Sequence, residues 1–165
     1  MKRKMEKGEQ QGLERLRSVV AKVSRPLEEN GTHFCAGMRP TDLLGFIRSE
    51  IDEVKEELAL IDSVAKDSKV KNLRGLRGEL GDVLFDTLLL IDKCSREFGD
   101  GDGAAGALSV DSVAHAAALK VEGRCPYAFK EGTEKPPTLE LERKAWNDAK
   151  EREKRREAAL AAAQA

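Results

Sequence analysis

Aromatic side chains are scarce: Phe, Trp and Tyr together make up 4% of 165 residues, with one Trp and one Tyr. Proteins that stack successive bases of a single strand need more such rings. A basic excess is missing as well. Lys plus Arg number 29 and Asp plus Glu 30, for a net charge of -1. That balance excludes a protein that holds nucleic acid by bulk charge. No apolar run approaches the ~20 residues of a membrane span. The opening MKRKMEKGEQQ mixes Lys with Glu and lacks the apolar core of a secretory signal. Cysteines are few, and Cys35, Cys94 and Cys125 are odd in number and widely spaced. Neither a disulfide framework nor a zinc pattern follows. The expectation is a cytoplasmic protein with no nucleic-acid and no membrane partner.

What is present is charge, at 36%, beside 40% hydrophobic residues. The length suits one domain with a modest core. The pattern is helical throughout and contains no internal repeat. Leu13, Leu16, Val20 and Val23 fall at helical spacing within 11–30, before Pro26. Residues 31–40, with Gly31, Gly37 and Pro40, read as a loop. Thr41 or Asp42 would cap a helix reaching Ile61. A polar stretch precedes a second long helix over 73–98. The segment 98–109 reads as a Gly-rich turn; Asp100 and Asp102 lack the Gly and terminal Glu of a calcium loop. A helix over 109–122, an irregular 125–137 and a last helix from Thr138 complete the chain. Helices with short connections and no strand pattern predict an all-α, four-helix-bundle-type domain. Residues 1–10 and 155–165 read as flexible or frayed tails.

The informative feature is where the acids sit. On the first long helix, Ile51, Val54, Leu58 and Ile61 lie within about 40° of Ile47. Glu50, Glu53 and Glu57 lie at about 60–120° to one side, beside Phe46, whereas Asp52 and Glu56 face away. Taken alone, Glu50 and Glu53 could simply flank a seam and pair with lysines. The second helix weighs against that. VLFDTLLLI (83–91) is apolar on nearly every side, as a buried helix is. Glu79, Asp82 and Asp86 nevertheless share about 60° of its surface. Buried like charges persist only when something positive fills them. No Lys or Arg lies between positions 78 and 92. The compensating charge is therefore a cation, or basic residues from elsewhere in the fold. Facing helices bearing E-x-x-E and E-x-x-D would make an all-oxygen site suited to Mg²⁺ or Mn²⁺. Zinc is not suited, since no Cys or His shares the spacing.

These residues also carry a family resemblance. Glu50-Ile-Asp-Glu53, then 25 residues, then Glu79-Leu-Gly-Asp82 resembles the E-x-x-E…E-x-x-D signature of the MazG-like all-α nucleoside triphosphate pyrophosphohydrolases. Lys120, Arg124, Cys125, Pro126, Tyr127 and Phe129 are similar to the family's K-x-x-x-R-H-P-H-V-F segment. Trp146, Lys150, Glu153 and Lys154 resemble its W-x-x-x-K-x-x-E-K stretch. The resemblance covers about residues 11–154. Ser49, Cys125, Tyr127 and the Cys35–Met38 stretch depart from the pattern. All four core acids match.

The resemblance implies a dimeric or higher homo-oligomer that splits a nucleoside triphosphate into its monophosphate and pyrophosphate. Glu50, Glu53, Glu79 and Asp82 would hold Mg²⁺, and Glu53 or Glu50 would take a proton from water. Lys120 and Arg124, four residues apart, would reach phosphate. Asp86 is a candidate outer ligand; Phe46 and Trp146 are candidates for the pocket or for packing. Three other readings stay open: a relative specific for dCTP, dUTP or phosphoribosyl-ATP, a non-catalytic helical module of the same fold, and a plain charged bundle or coiled coil, whose a/d seam Asp82 and Asp86 interrupt. His33 and His115 have no partner spacing, and Cys94 reads as core.

Overall fold

The computed structural model describes residues 2–63, 69–99 and 108–164, with side chains described from 11 to 63, 73 to 99 and 108 to 163. The Gly-rich turn at 100–107 and residues 64–68 of the polar stretch lie outside the described residues. Every regular element described is helical: α1 (Lys2–Val23), α2 (His33–Ala36), α3 (Pro40–Ser63), α4 (Lys69–Phe98), α5 (Val110–Arg124) and α6 (Leu139–Gln164). Short 3-10 turns occupy Leu27–Glu29 and Pro126–Ala128. The chain forms two compact units, residues 1–110 and 111–165.

The ends of these helices follow from local chemistry. α1 stops before Pro26, and Asn30 takes a left-handed conformation (φ 63°) to close the following 3-10 turn. The expected loop at 31–40 contains a helical turn. Thr32 caps it, accepting from the Cys35 N–H at 3.2 Å while donating to the Val23 carbonyl at 3.1 Å. α3 starts on Pro40, whose fixed φ suits a first helical position, so Thr41 and Asp42, the expected caps, lie inside its first turn. Asp42 reaches back to accept from the Arg39 N–H at 3.0 Å, satisfying a donor that the helix leaves open. α6 begins as expected, with the Thr138 hydroxyl accepting from the Leu141 N–H at 3.3 Å. It continues through the segment read as a tail.

The core of the first unit is small. Val20 of α1, Cys35 of α2, Leu43 of α3 and Leu88 and Leu89 of α4 are buried together, with Leu16, Val23, Met38 and Phe85 around them. α3 and α4 pack along one another. Their contacts run in opposite directions, Glu57 against Gly75 and Leu43 beside Leu88 and Leu89, so the pair is antiparallel. At Gly75 a Cβ would lie 2.5 Å from the Glu57 carboxylate; glycine permits this close passage. The seam of α3 and the apolar run of α4 are less covered than their patterns suggest. Ile51 and Leu58 on α3 and Leu80 and Leu84 on α4 are exposed. Periodicity identifies a packing face but not which chain supplies its cover.

In the second unit α5 and α6 are tied by charge rather than by a core, since α5 buries no residue. Arg124 donates from Nε and Nη2 to Glu153 at 3.1 and 2.8 Å. Lys120 lies 3.3 Å from Glu153 and 3.7 Å from Glu157. The Tyr127 hydroxyl donates to Glu142, which is the main reason its pKa is pushed up to about 12.

Candidate metal centre

α3 supplies Glu50 and Glu53 one turn apart, and α4 supplies Glu79 across the antiparallel contact. One carboxylate oxygen from each lies within 4.8 Å of the others. Burial and like charge both act on Glu50 and Glu79. Loss of solvent lifts the Glu50 carboxyl above the ordinary range, and the charges of Glu53, Asp82, Asp86 and Glu79 add to it. Glu79 is lifted in the same way, with Glu53, Asp82 and Glu57 as the charged neighbours and a hydrogen bond with Glu53. Asp86 is buried, and burial followed by the charge of Asp82 raises it too. Six carboxylates from two helices therefore feel one another.

The three sequence candidates Glu50, Glu53 and Glu79 meet directly. Asp82 is exposed and outside the 4.8 Å set, although its charge acts on Glu50, Glu79 and Asp86. Among the described residues, no ion pair is formed by Glu50, Glu53, Glu79, Asp82 or Asp86. The donor set is hard oxygen throughout, which fits Mg²⁺ or Mn²⁺ and not a thiolate- or imidazole-seeking ion. Phe46 lies one helical turn before Glu50, 41% exposed, with its ring centroid 5.9 Å from that of Phe34. Lys120, Arg124 and Trp146 belong to the second unit, where the Arg124 guanidinium stands 5.3 Å from the Trp146 ring centroid.

A comparison with protein families finds the MazG nucleotide pyrophosphohydrolase domain over residues 39–129, more than half of the chain. The chain belongs to the MazG nucleotide pyrophosphohydrolase family. The match includes every acid of the cluster as well as Lys120 and Arg124. Among solved structures, this MazG chain resembles a mazG-related protein from Thermotoga maritima with a TM-score of 0.58. That likeness covers 84% of this chain and 98% of the other at 24% identity, and supports the all-α fold. A comparison with curated proteins gives no match.

One residue beyond the signature bears on the cluster, and another contacts Phe46 beside it. Glu57, one turn after Glu53, bears on Glu79 and packs against Gly75; its i, i+4 spacing from Glu53 was the available signal. Phe34 has no signal in the sequence, because its place depends on the helical turn of α2. Among the described residues, no helix is long and apolar enough to cross a membrane.

Proposed function

We propose that the protein hydrolyses nucleoside triphosphates to monophosphate and pyrophosphate in a Mg²⁺-dependent reaction. Mn²⁺ is an acceptable substitute on the same oxygen ligands. The observation that carries this reading is the convergence of Glu50, Glu53 and Glu79 within 4.8 Å, with no ion pair to any of them among the described residues. Glu50, Glu53, Glu79 and Asp82 hold the metal, and Asp86 stands behind them as an outer ligand. When bound, the ion neutralises phosphate charge and lowers the pKa of a water. Water is added across the α–β anhydride: one oxygen joins phosphorus, the bridging bond breaks, and Glu53 accepts the released proton. Glu50, one turn away, holds the water in line.

Lys120 and Arg124 contact phosphate in this reading. Each is ion-paired with Glu153, and a phosphate would have to displace that carboxylate to be held there. Trp146 holds the Arg124 guanidinium by its face. The working form is a homodimer. Leu44, Ile51 and Leu58 form an exposed heptad row on α3, and Leu73, Leu80 and Leu84 an exposed row on α4. The setting is cytoplasmic nucleotide-pool house-cleaning.

The test is a panel of NTPs and dNTPs with Mg²⁺, scored for both products. Equimolar monophosphate and pyrophosphate are expected, with the activity lost in Glu53→Gln and retained folding by circular dichroism. Orthophosphate as the product, or full turnover in that variant, refutes the assignment.

A further inference from the structure

Phe34 is 59% exposed, yet the turn that carries it is pinned on every other side. Thr32 holds its start through two hydrogen bonds, to Val23 and from Cys35. Cys35, the next residue, is 1% exposed and belongs to the core. The Lys93 ammonium donates to the Cys35 carbonyl and ties the turn to α4. A single exposed ring is ordinary on a protein surface; this one differs in its rigid support and in the second ring beside it.

Its neighbour is informative. Phe34 and Phe46 form the one aromatic pair among the described residues, with centroids 5.9 Å apart and planes tilted by 54°. Both rings remain exposed although they touch, so the pair presents an open aromatic surface. Phe46 lies at i, i+4 from Glu50, which places their Cβ atoms about 5–6 Å apart on one helix face. An aromatic platform and the carboxylate cluster therefore adjoin along α3. A nucleotide has the same order of chemistry, with an anionic phosphate chain at one end and a flat π-system at the other.

We propose that Phe34 and Phe46 form the platform on which the substrate's nucleobase stacks, next to the carboxylates that meet its phosphates through the metal. This rests on the nucleotide hydrolysis proposed above and adds the part of the substrate that the acids do not read. Stacking accepts any base, because every base has a π-face. The platform therefore favours nucleoside triphosphates over base-free polyphosphates without choosing strongly among bases.

The experiment compares steady-state hydrolysis by the full chain and by Phe34→Ala, Phe34→Trp and Phe46→Leu. Tripolyphosphate, which has no base, serves as a competing inhibitor. Loss of one stacking ring predicts KM for nucleoside triphosphates raised about five- to a hundredfold in Phe34→Ala, with kcat nearly unchanged. Phe34→Trp keeps a π-face and should stay near the wild type. Phe46→Leu keeps apolar bulk without a ring and should follow Phe34→Ala. The inhibition constant of tripolyphosphate should not change in any of them. An unchanged KM in Phe34→Ala, or an equal rise for tripolyphosphate, overturns the platform. So does an altered molecular mass by light scattering at unchanged KM, which makes the pair an interface between copies. If the wild type turns over no nucleotide, the hydrolytic reading fails separately. Calorimetric binding of ATP against tripolyphosphate to the same variants then decides the platform by the same criterion.

Discussion

Replacing Leu89 by Ala strikes the smallest and most consequential part of the first unit. Leu89 is 0% exposed and sits with Val20, Cys35, Leu43 and Leu88 in a five-residue buried core. The truncation removes apolar contact and leaves a cavity, at a cost of about 2–5 kcal/mol for a buried Leu. A domain typically has about 5–15 kcal/mol in total, so a large share goes with one side chain. The same core fixes α4 against α3 and thereby places Glu79 opposite Glu50 and Glu53. Urea unfolding followed by circular dichroism should show a lower midpoint at unchanged slope. The melting temperature should fall by roughly 8 °C or more for a unit of this size. Below the new transition the variant should keep Mg²⁺-dependent turnover, because Leu89 lies ten residues along α4 from Glu79 and seven from Asp82. A loss under about 1 kcal/mol would mean that the buried five do not organise the unit and that its stability resides in the exposed leucine rows instead.

Two further outcomes follow from charge and exposure. Glu50, Glu79 and Asp86 are raised above their ordinary values, so the folded state holds protons that the unfolded chain has released. Metal-free stability is fullest below the ordinary carboxylate range near pH 4 and falls as pH rises through the raised values; thermal melts in chelator should show this, and saturating Mg²⁺ should remove it. A flat pH profile in chelator contradicts the coupling. Leu58, 47% exposed in the heptad row of α3, should matter through association. Leu58→Glu should shift light-scattering mass from dimer to monomer, and an unchanged mass would remove that face from the interface.

The helical class was legible from the sequence because apolar residues recur at 3.6-residue spacing in α3 and α4, and the cap at Thr138 has recognisable chemistry; the start of α3 was not, because Pro40 begins the helix ahead of Thr41 and Asp42. Rotation per residue brought all four core acids together on paper, on facing sides of two helices, and three of them, Glu50, Glu53 and Glu79, meet in the structure. Asp82 obeys the same rotation yet stays outside the tight set, since side-chain reach and local exposure are not encoded in helical angle. The turn at α2 was hidden, as four residues cannot display a period, and with it the position of Phe34. The pairing of Arg124 with Glu153 was hidden too, because it spans 29 residues and two helices. Where Ile51, Leu58 and Leu84 remain exposed, periodicity had marked a face that the described residues leave uncovered.

The central claim is that Glu50, Glu53 and Glu79 form one divalent-cation site. Isothermal titration of Mn²⁺ or Mg²⁺ into the wild type and into Glu79→Gln tests it most directly. Saturable binding with proton release near the raised carboxyl range is expected for the wild type, and its loss for Glu79→Gln at unchanged helicity. No binding by the wild type, or equal affinity in both proteins, would contradict the account.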